Sequence, residues 1–294
     1  MSFVVFTDTS ANLPHQLVQQ KGITLVPFSY FVKGEEHTCL NSEEFSGDEY
    51  YGMIKAGVQV TTSQVTPQRY IDKFTPVLQQ GQDILFVSMS SGISGSCASA
   101  RMAVTQLAEE FPQRSIRIVD TLGASLGEGL IVLEAADWQA AGRTLDETEA
   151  HLNEMCRCMC QIFTVDDLMH LRRGGRLSNL SAIVGTVLSI KPLLKGSEEG
   201  TIVAFEKVRG RRRSIEALAE KFDTLAVNPE QQIVGIAQAG CKEDAAQLAE
   251  LLRRNHPPKE ILTVEYEPVT GAHVGPGALA LFFLGDENVR KANG

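Results

Sequence analysis

The chain has 294 residues, 43% of them hydrophobic, and a formal net charge of -9. That is enough apolar material for one large core or two ordinary ones, and the charge excludes indiscriminate binding to nucleic acid or to an anionic membrane. No apolar run reaches the ~20 residues of a membrane span, and the opening MSFVVFTD has no basic leader, so the expectation is a cytosolic protein with its six cysteines reduced and no stable membrane insertion.

Residues 3–6 read as a first strand that runs into TDTSANLP, where polar residues and a proline mark a turn and a helix start. Residues 23–28 read as a second strand, 30–40 as a small hairpin around Gly34, and 42–55 as a helix with an acidic start. TTSQVTP, residues 61–67, reads as a hydroxyl-rich loop whose Pro67 suits the first position of a helix. The apolar run 84–87 has the length of a buried strand, and beyond it Ala98, Met102, Val104 and Leu107 recur at helical spacing. Between them SMSSGISGS, residues 88–96, crowds serines around two glycines. The first N–H groups of a helix lack partners within it and favour an anion. The turn is therefore either a site for a carboxylate or phosphate built of neutral donors, or a serine-rich N-cap.

A strand at 116–119 follows, then Asp120-Thr121, Gly123, Ser125 and Gly127, and a helix to about residue 141. Strands alternating with helices predict a parallel sheet covered on both faces. The polar segments 7–10, 61–66, 90–96 and 120–125 are then expected along its carboxyl edge, where open α/β sheets bind ligands.

The second half reads as a connecting helix at 146–161, a strand at 162–165, the polar stretch DDLMHLRRGGR, and an apolar helix at 179–190 containing Gly185. Segments 192–194 and 201–207 are expected to pair across a loop at 196–200. A basic run at 209–213 opens a helix to residue 225. Strands at 233–237, 261–266 and 279–284 and a helix at 243–253 complete a second sheet, with GAHVGPG as a loop before the last strand. A boundary near residue 158 divides the chain into 1–158 and 159–294.

From His170 to Arg213 ten Lys/Arg stand against three acids, a local +7. Such a run is either a solvated basic face or a docking surface for an anionic partner. RNA is disfavoured because no aromatic residues interleave as stacking platforms. Cys156, Cys158 and Cys160 alternate as CRCMC, whereas zinc needs about four ligands in spaced pairs. They read as core residues, and neither metal nor cofactor is expected.

TDTSANLP, TTSQVTP, SSGISGS, DTLGASLGEG, DDLMHLRRGGRLSNLSAIVG, IKPLL, EKVRGRRR and AHVGPG resemble the DegV family in order and spacing, over nearly the whole chain. The resemblance implies two α/β domains, the first with a parallel sheet in three layers and the second with a smaller mixed sheet, enclosing an acyl chain. It implies a bacterial lipid-binding protein without catalysis of its own. Such a protein holds a long-chain fatty acid while a separate dihydroxyacetone-kinase-like fatty acid kinase phosphorylates the carboxylate for phospholipid synthesis. By motif, the carboxylate-binding threonine and serine fall on Thr62 and Ser94, the head-group histidine on His273, and two arginines facing the head group and kinase on Arg176 and Arg209. Ser63, Ser91 and Gly95 are expected beside them. Val65 stands where many members have proline, and Cys97 where many have an aromatic residue, which puts the shape of the pocket in question.

A tail of ~15 methylenes at ~0.8 kcal/mol each offers about 12 kcal/mol of gross transfer free energy, much of it offset by lost freedom. The head group then needs positioning by neutral donors more than it needs a clamp. The apolar stretch 180–190 is either a wall for that tail or plain core. A serine hydrolase is the alternative: Ser94, Asp120 and His273 follow the chain order of α/β-hydrolase triads, although GISGS is not a G-x-S-x-G elbow.

Overall fold

A computed structural model describes residues 3–177 and 190–291. From the amino end come β1 (Phe3–Asp8), α1 (His15–Gln20), β2 (Thr24–Val26), β3 (Ser29–Val32), β4 (Glu35–Thr38), α2 (Gly47–Lys55), β5 (Val60–Ser63), α3 (Pro67–Gln79), β6 (Asp83–Ser88), α4 (Ser96–Glu110), β7 (Ile116–Asp120), α5 (Leu126–Ala140) and α6 (Leu145–Cys158). Then follow β8 (Met159–Thr164), α7 (Met169–Arg173), β9 (Ile190–Gly196), β10 (Ile202–Arg209), α8 (Arg211–Leu225), β11 (Ile233–Gln238), α9 (Lys242–Asn255), β12 (Glu260–Glu265), α10 (Pro268–Val274) and β13 (Leu279–Leu284).

The expected parallel sheet has the order β2-β1-β6-β7, with every pairing parallel. Successive strand residues point to opposite faces, and the two faces have separate apolar partners. Val5, Leu85 and Val87 pack with Leu130, Ile131 and Leu152 of α5 and α6. Phe6, Ile84 and Phe86 pack with Tyr70, Phe74 and Leu107 of α3 and α4. Local chemistry sets the helix starts. Thr66 caps α3 ahead of Pro67, and Thr144 with Glu147 forms a capping box on α6, each satisfying orphan amides of the first turn.

The second sheet runs β10-β9-β8-β13-β11-β12, and only β11 and β12 pair in parallel. It is mixed, as expected, but with six strands it is larger than the first sheet, not smaller. The difference lies in β9 and β10, which pair across the expected loop and add two full strands. A third sheet, β4-β3-β5, is antiparallel.

Helix α5 joins the layers. Every residue from Leu126 to Leu133 is buried, and the helix packs on β1 of one sheet and on β11 of the other. Through that stretch it lacks the polar stripe of a surface helix, and its exposed residues, Asp137 and Ala140, lie toward its carboxyl end. Phe3 and Val5 therefore share one core with Phe163 and Phe282.

Other local expectations shift. Thr61–Ser63 belong to a strand rather than a loop, because β5 pairs with β3 and sets Thr62 opposite Tyr30. Residues 42–55 split into a 3-10 turn, Ser42–Glu44, and α2, which Ser46 caps. The connecting helix ends at Cys158, and Met159 already belongs to a strand. The GAHV of the last motif is the end of α10, so His273 sits on a helix. The apolar helix expected at 179–190, with Gly185, lies outside the described residues except for Ile190, which begins β9.

Candidate functional site

A cavity with about 830 Å3 of empty space, counted to its mouth, opens between the turns that leave β6 and β7 and the face formed by β8, β10 and β13. Met89, Ile93, Phe163, Ile202, Val269 and Phe282 are among its apolar walls. Thr62, Ser63, Ser94, Arg176 and His273 lie together on the same cavity, so five of the eight residues predicted for the site meet there.

Hydrogen bonds hold four of the five. Thr62 Oγ1 lies 2.8 Å from His273 Nε2. His273 ends α10, whose first turn is capped by the buried Glu267 carboxylate, accepting from the amides of Val269 and Thr270 at 2.6 and 2.5 Å. A β-carbon at position 174 would stand 2.5 Å from His273 Nδ1, so the first glycine of GGR lets the chain close on the ring. Burial, then the neighbouring Arg176, push the His273 pKa down to about 4, which leaves the ring neutral at pH 7. Arg176 donates to the carbonyls of Ile93, at 3.2 Å, and Gly174. Ser94 Oγ donates to Ser96 Oγ at 3.0 Å and accepts from the Ser96 amide at 3.2 Å.

The other three stand elsewhere. Ser91 is exposed, and its amide donates to Asp120 at 3.2 Å. Gly95 is the N-cap of α4, and a β-carbon there would overlap the side chain of Gln64, which does line the cavity. Arg209 is exposed at the end of β10, opposite Ile190, and does not line the cavity. Cys97 is fully buried and is not a lining residue either, so it does not shape this pocket directly. Val65 uses its amide to donate to Ser96 Oγ at 3.0 Å, a bond proline could not make.

An outer groove of about 1130 Å3 adjoins the polar end. Thr62, Arg176 and His273 line both the cavity and this groove, which is otherwise flanked by His170, Arg173 and the segment from Ile54 to Thr61. The three shared residues form a partition between an apolar chamber and a basic one.

The hydrolase constellation is not assembled. Asp120 Oδ1 accepts from the amides of Ser91 and Leu122, at 3.2 and 3.1 Å, while the His273 ring nitrogen that makes a bond makes it to Thr62. The Ser94 proton goes to Ser96. The relay fails because Asp120 is consumed in satisfying backbone amides of the turns after β6 and β7.

Beneath the cavity lies a buried carboxyl cluster that the sequence reading passed over as a turn. Asp8, Glu128 and Glu267 are each less than 5% exposed. Asp8 Oδ2 accepts from the amide of the cavity residue Met89 at 3.4 Å. Thr7 donates to Glu128 Oε1 at 2.8 Å. Ser10 Oγ lies 2.6 Å from Glu128 Oε2 and is also bonded to Asp8 Oδ1. One hydroxyl carries one proton, so the second of these short contacts requires a proton on a carboxyl. Burial pushes Asp8 up to about 6 and Glu267 up to about 7. Burial, reinforced by the Asp8 charge, raises Glu128 well above the carboxylate range, so Glu128 is the neutral acid.

The local +7 is largely answered by acids outside the run. Lys191 pairs with Asp166 and Arg211 with Asp244, and Arg212 and Arg213 pair with Glu216 and Glu220. Cys156 and Cys160 are buried, which pushes both thiols up to about 12. Among the described residues no group of three His, Cys, Asp or Glu side chains is placed to hold a metal ion.

A family profile described as "Uncharacterised protein, DegV family" matches residues 2–286. A DegV domain-containing protein of Clostridium perfringens is 38% identical over 284 residues, covering 97% of this chain and 98% of that protein. A DegV family protein from Thermus thermophilus, solved for its fatty acid binding, superposes with a TM-score of 0.88 at 30% identity, over 97% of this chain and all of that one. DegV of Bacillus subtilis, described as a fatty acid binding protein, gives a TM-score of 0.84 at 28% identity, again over 97% of this chain and all of that one.

Proposed function

This chain belongs to the DegV family, and on that premise we propose that it holds a long-chain fatty acid in the cavity, with the carboxylate at Thr62, Ser94 and His273, and presents it to a separate kinase for acyl-phosphate formation. The observation that carries the reading is the partition: an apolar chamber closed at one end by hydroxyls and a neutral imidazole that also face a basic groove. The tail supplies most of the affinity through burial. Neutral donors hold the carboxylate without withdrawing the electron pair that must attack phosphorus. Phosphoryl transfer depends chiefly on positioning and charge stabilisation. Arg176 stands at the partition, and Arg173 and His170 line the groove beyond it, on the side from which a phosphoryl donor would approach. Arg209 contributes from the surface, toward the partner. Ser63 flanks the head group, while Ser91 and Gly95 shape the turn that carries Ser94.

The same reading divides the chain into residues 1–158 and 159–294 with the ligand between them. The strands of the parallel sheet end at Asp120 and those of the six-stranded sheet begin at Met159. It also keeps the protein in the cytosol. No described helix is long and apolar enough to cross a membrane. The test is mass spectrometry of the purified protein under native and denaturing conditions. One fatty acid per chain is expected. An empty protein from a lipid-replete host that also takes up no added fatty acid overturns the proposal.

A further inference from the structure

The cavity has a second polar group of residues away from the head. Gln161 lies on β8 two positions before Phe163, on the same face and therefore about 7 Å further along the strand. The carboxyl end of β8 leads to α7 and Arg176, so Gln161 is at the end remote from the head group. Gln161 is 8% exposed and lines the cavity. Its bonds are long: the oxygen accepts from the Ala124 amide at 3.3 Å, and the nitrogen reaches the Leu122 carbonyl at 3.4 Å. The same carbonyl is already taken at short range by the buried Arg290, which leaves the Gln161 amide hydrogens poorly satisfied.

Ser125 stands in the adjoining turn and also lines the cavity. It is 1% exposed, and its hydroxyl has no hydrogen-bond partner. Its backbone is held at φ 53° and ψ -138°, and its side chain does not cap α5. A saturated tail gives such groups nothing to bond. Buried polar groups without partners cost stability unless something bonds them.

We propose that the cavity takes fatty acids bearing an oxygen along the chain, a hydroxyl or a ketone well removed from the carboxyl, and that Gln161 and Ser125 recognise that oxygen. The inference rests on the fatty acid reading above and narrows its ligand class. Gln161 offers both a donor and an acceptor, and Ser125 a hydroxyl that can do either, so a chain hydroxyl would be met in both its roles. A hydroxyl near the carboxyl would instead lie beside the head-group residues, out of reach of Gln161 and Ser125.

The experiment is competition binding with octadecanoic acid, 3-hydroxyoctadecanoic acid, and 10- and 12-hydroxyoctadecanoic acids, on wild type, Gln161→Leu and Ser125→Ala. Wild type is expected to bind a mid-chain hydroxy acid about three- to tenfold more tightly than the 3-hydroxy isomer, the scale of one neutral hydrogen bond. Each variant is expected to lose that preference while still binding octadecanoic acid. Octadecanoic acid bound, with the mid-chain isomers no better than the 3-hydroxy acid, overturns this inference and leaves the fatty acid reading intact. So does a mid-chain preference that both variants retain. Failure of octadecanoic acid to bind wild type overturns both.

Discussion

Replacing Glu128 with glutamine isolates the buried proton. In the folded chain Glu128 receives a bond from Thr7 on one oxygen and makes a contact of 2.6 Å with Ser10 on the other. Glutamine reproduces both, its oxygen accepting from Thr7 and its nitrogen donating to Ser10, which frees the Ser10 proton for Asp8. The pKa of Glu128 is raised by folding. The acid therefore favours the native state fully below the unfolded value near 4.5, and that contribution is lost as pH rises toward the folded value. Across that window the native state retains a proton that the unfolded chain releases, and the loss is about 1.4 kcal/mol per pH unit. From pH 5 upward, wild type should therefore lose stability relative to Glu128→Gln for as long as the folded acid keeps its proton. Asp8 and Glu128 titrate as a coupled pair, so the difference between the two urea-unfolding curves, measured at pH 5, 6 and 7, reports the proton that the pair shares through Ser10. Parallel stabilities across that range would mean that Glu128 is ionised in the fold, and the proton assignment at Ser10 would be wrong.

Thr62→Ala and Ser94→Ala should each weaken fatty acid binding by about 0.5–1.5 kcal/mol, the worth of a neutral hydrogen bond; wild-type titrations for both would mean that the carboxylate lies elsewhere. Arg176→Ala and Arg209→Ala should keep most of their fatty acid affinity and lose acyl-phosphate formation with the cognate kinase, the Arg209 effect weakening with salt because docking charges act mainly on association rate. Equal losses in ligand titration and kinase turnover would show that these arginines only hold the carboxylate. His273, with its pKa lowered to about 4, should stay neutral in binding assays down to about pH 5, and its contribution to stability should fall as pH drops from 6.5 toward 4, because the unfolded chain takes up the proton first. NMR titration of the ring reads this directly, and a midpoint near 6.5 would contradict its burial. Cys156 and Cys160, with thiols raised to about 12, should react with a thiol reagent at pH 8 only after unfolding.

The strands of both large sheets were legible because burial on two faces leaves continuous apolar runs such as 84–87 and 279–284. The carboxyl-edge turns were legible as well, since serine and glycine are the residues that strand-to-helix turns require. Ser94 emerged from those turns; Thr62 came from a segment read as another such loop that is in fact strand β5 of the third sheet, and His273 came only from the family motif. A histidine at the end of a seven-residue helix carries no periodic signal, and its burial depends on Gly174, about a hundred residues earlier. The carboxyl cluster was missed for a similar reason. Asp8 in TDTSANLP reads as turn chemistry, and Glu128 reads as a first-turn acid on its helix. Only the tertiary fold brings them to one serine. Gln161 alternates with Phe163 on β8, yet the helix was expected to run through residue 161, so the alternation went unread.

Helix α5 has a consequence for how the protein comes into being. Its first half, Leu126–Leu133, is buried all round with Glu128 as its one charged residue, and part of that surface is covered by β11 and β13, which are synthesised about a hundred residues later. Until then the nascent chain carries a greasy surface with nothing to cover it. Tyr50 and Tyr51, whose hydroxyls donate to the carbonyls of Pro268 and Tyr266, wait for the same late segments. Contacts this distant in sequence slow folding, and the exposed intermediate invites aggregation. A fragment ending at residue 158 should therefore be poorly soluble when made alone, and co-expression with residues 159–294 should rescue it. Folding of the first half is completed by strands of the second.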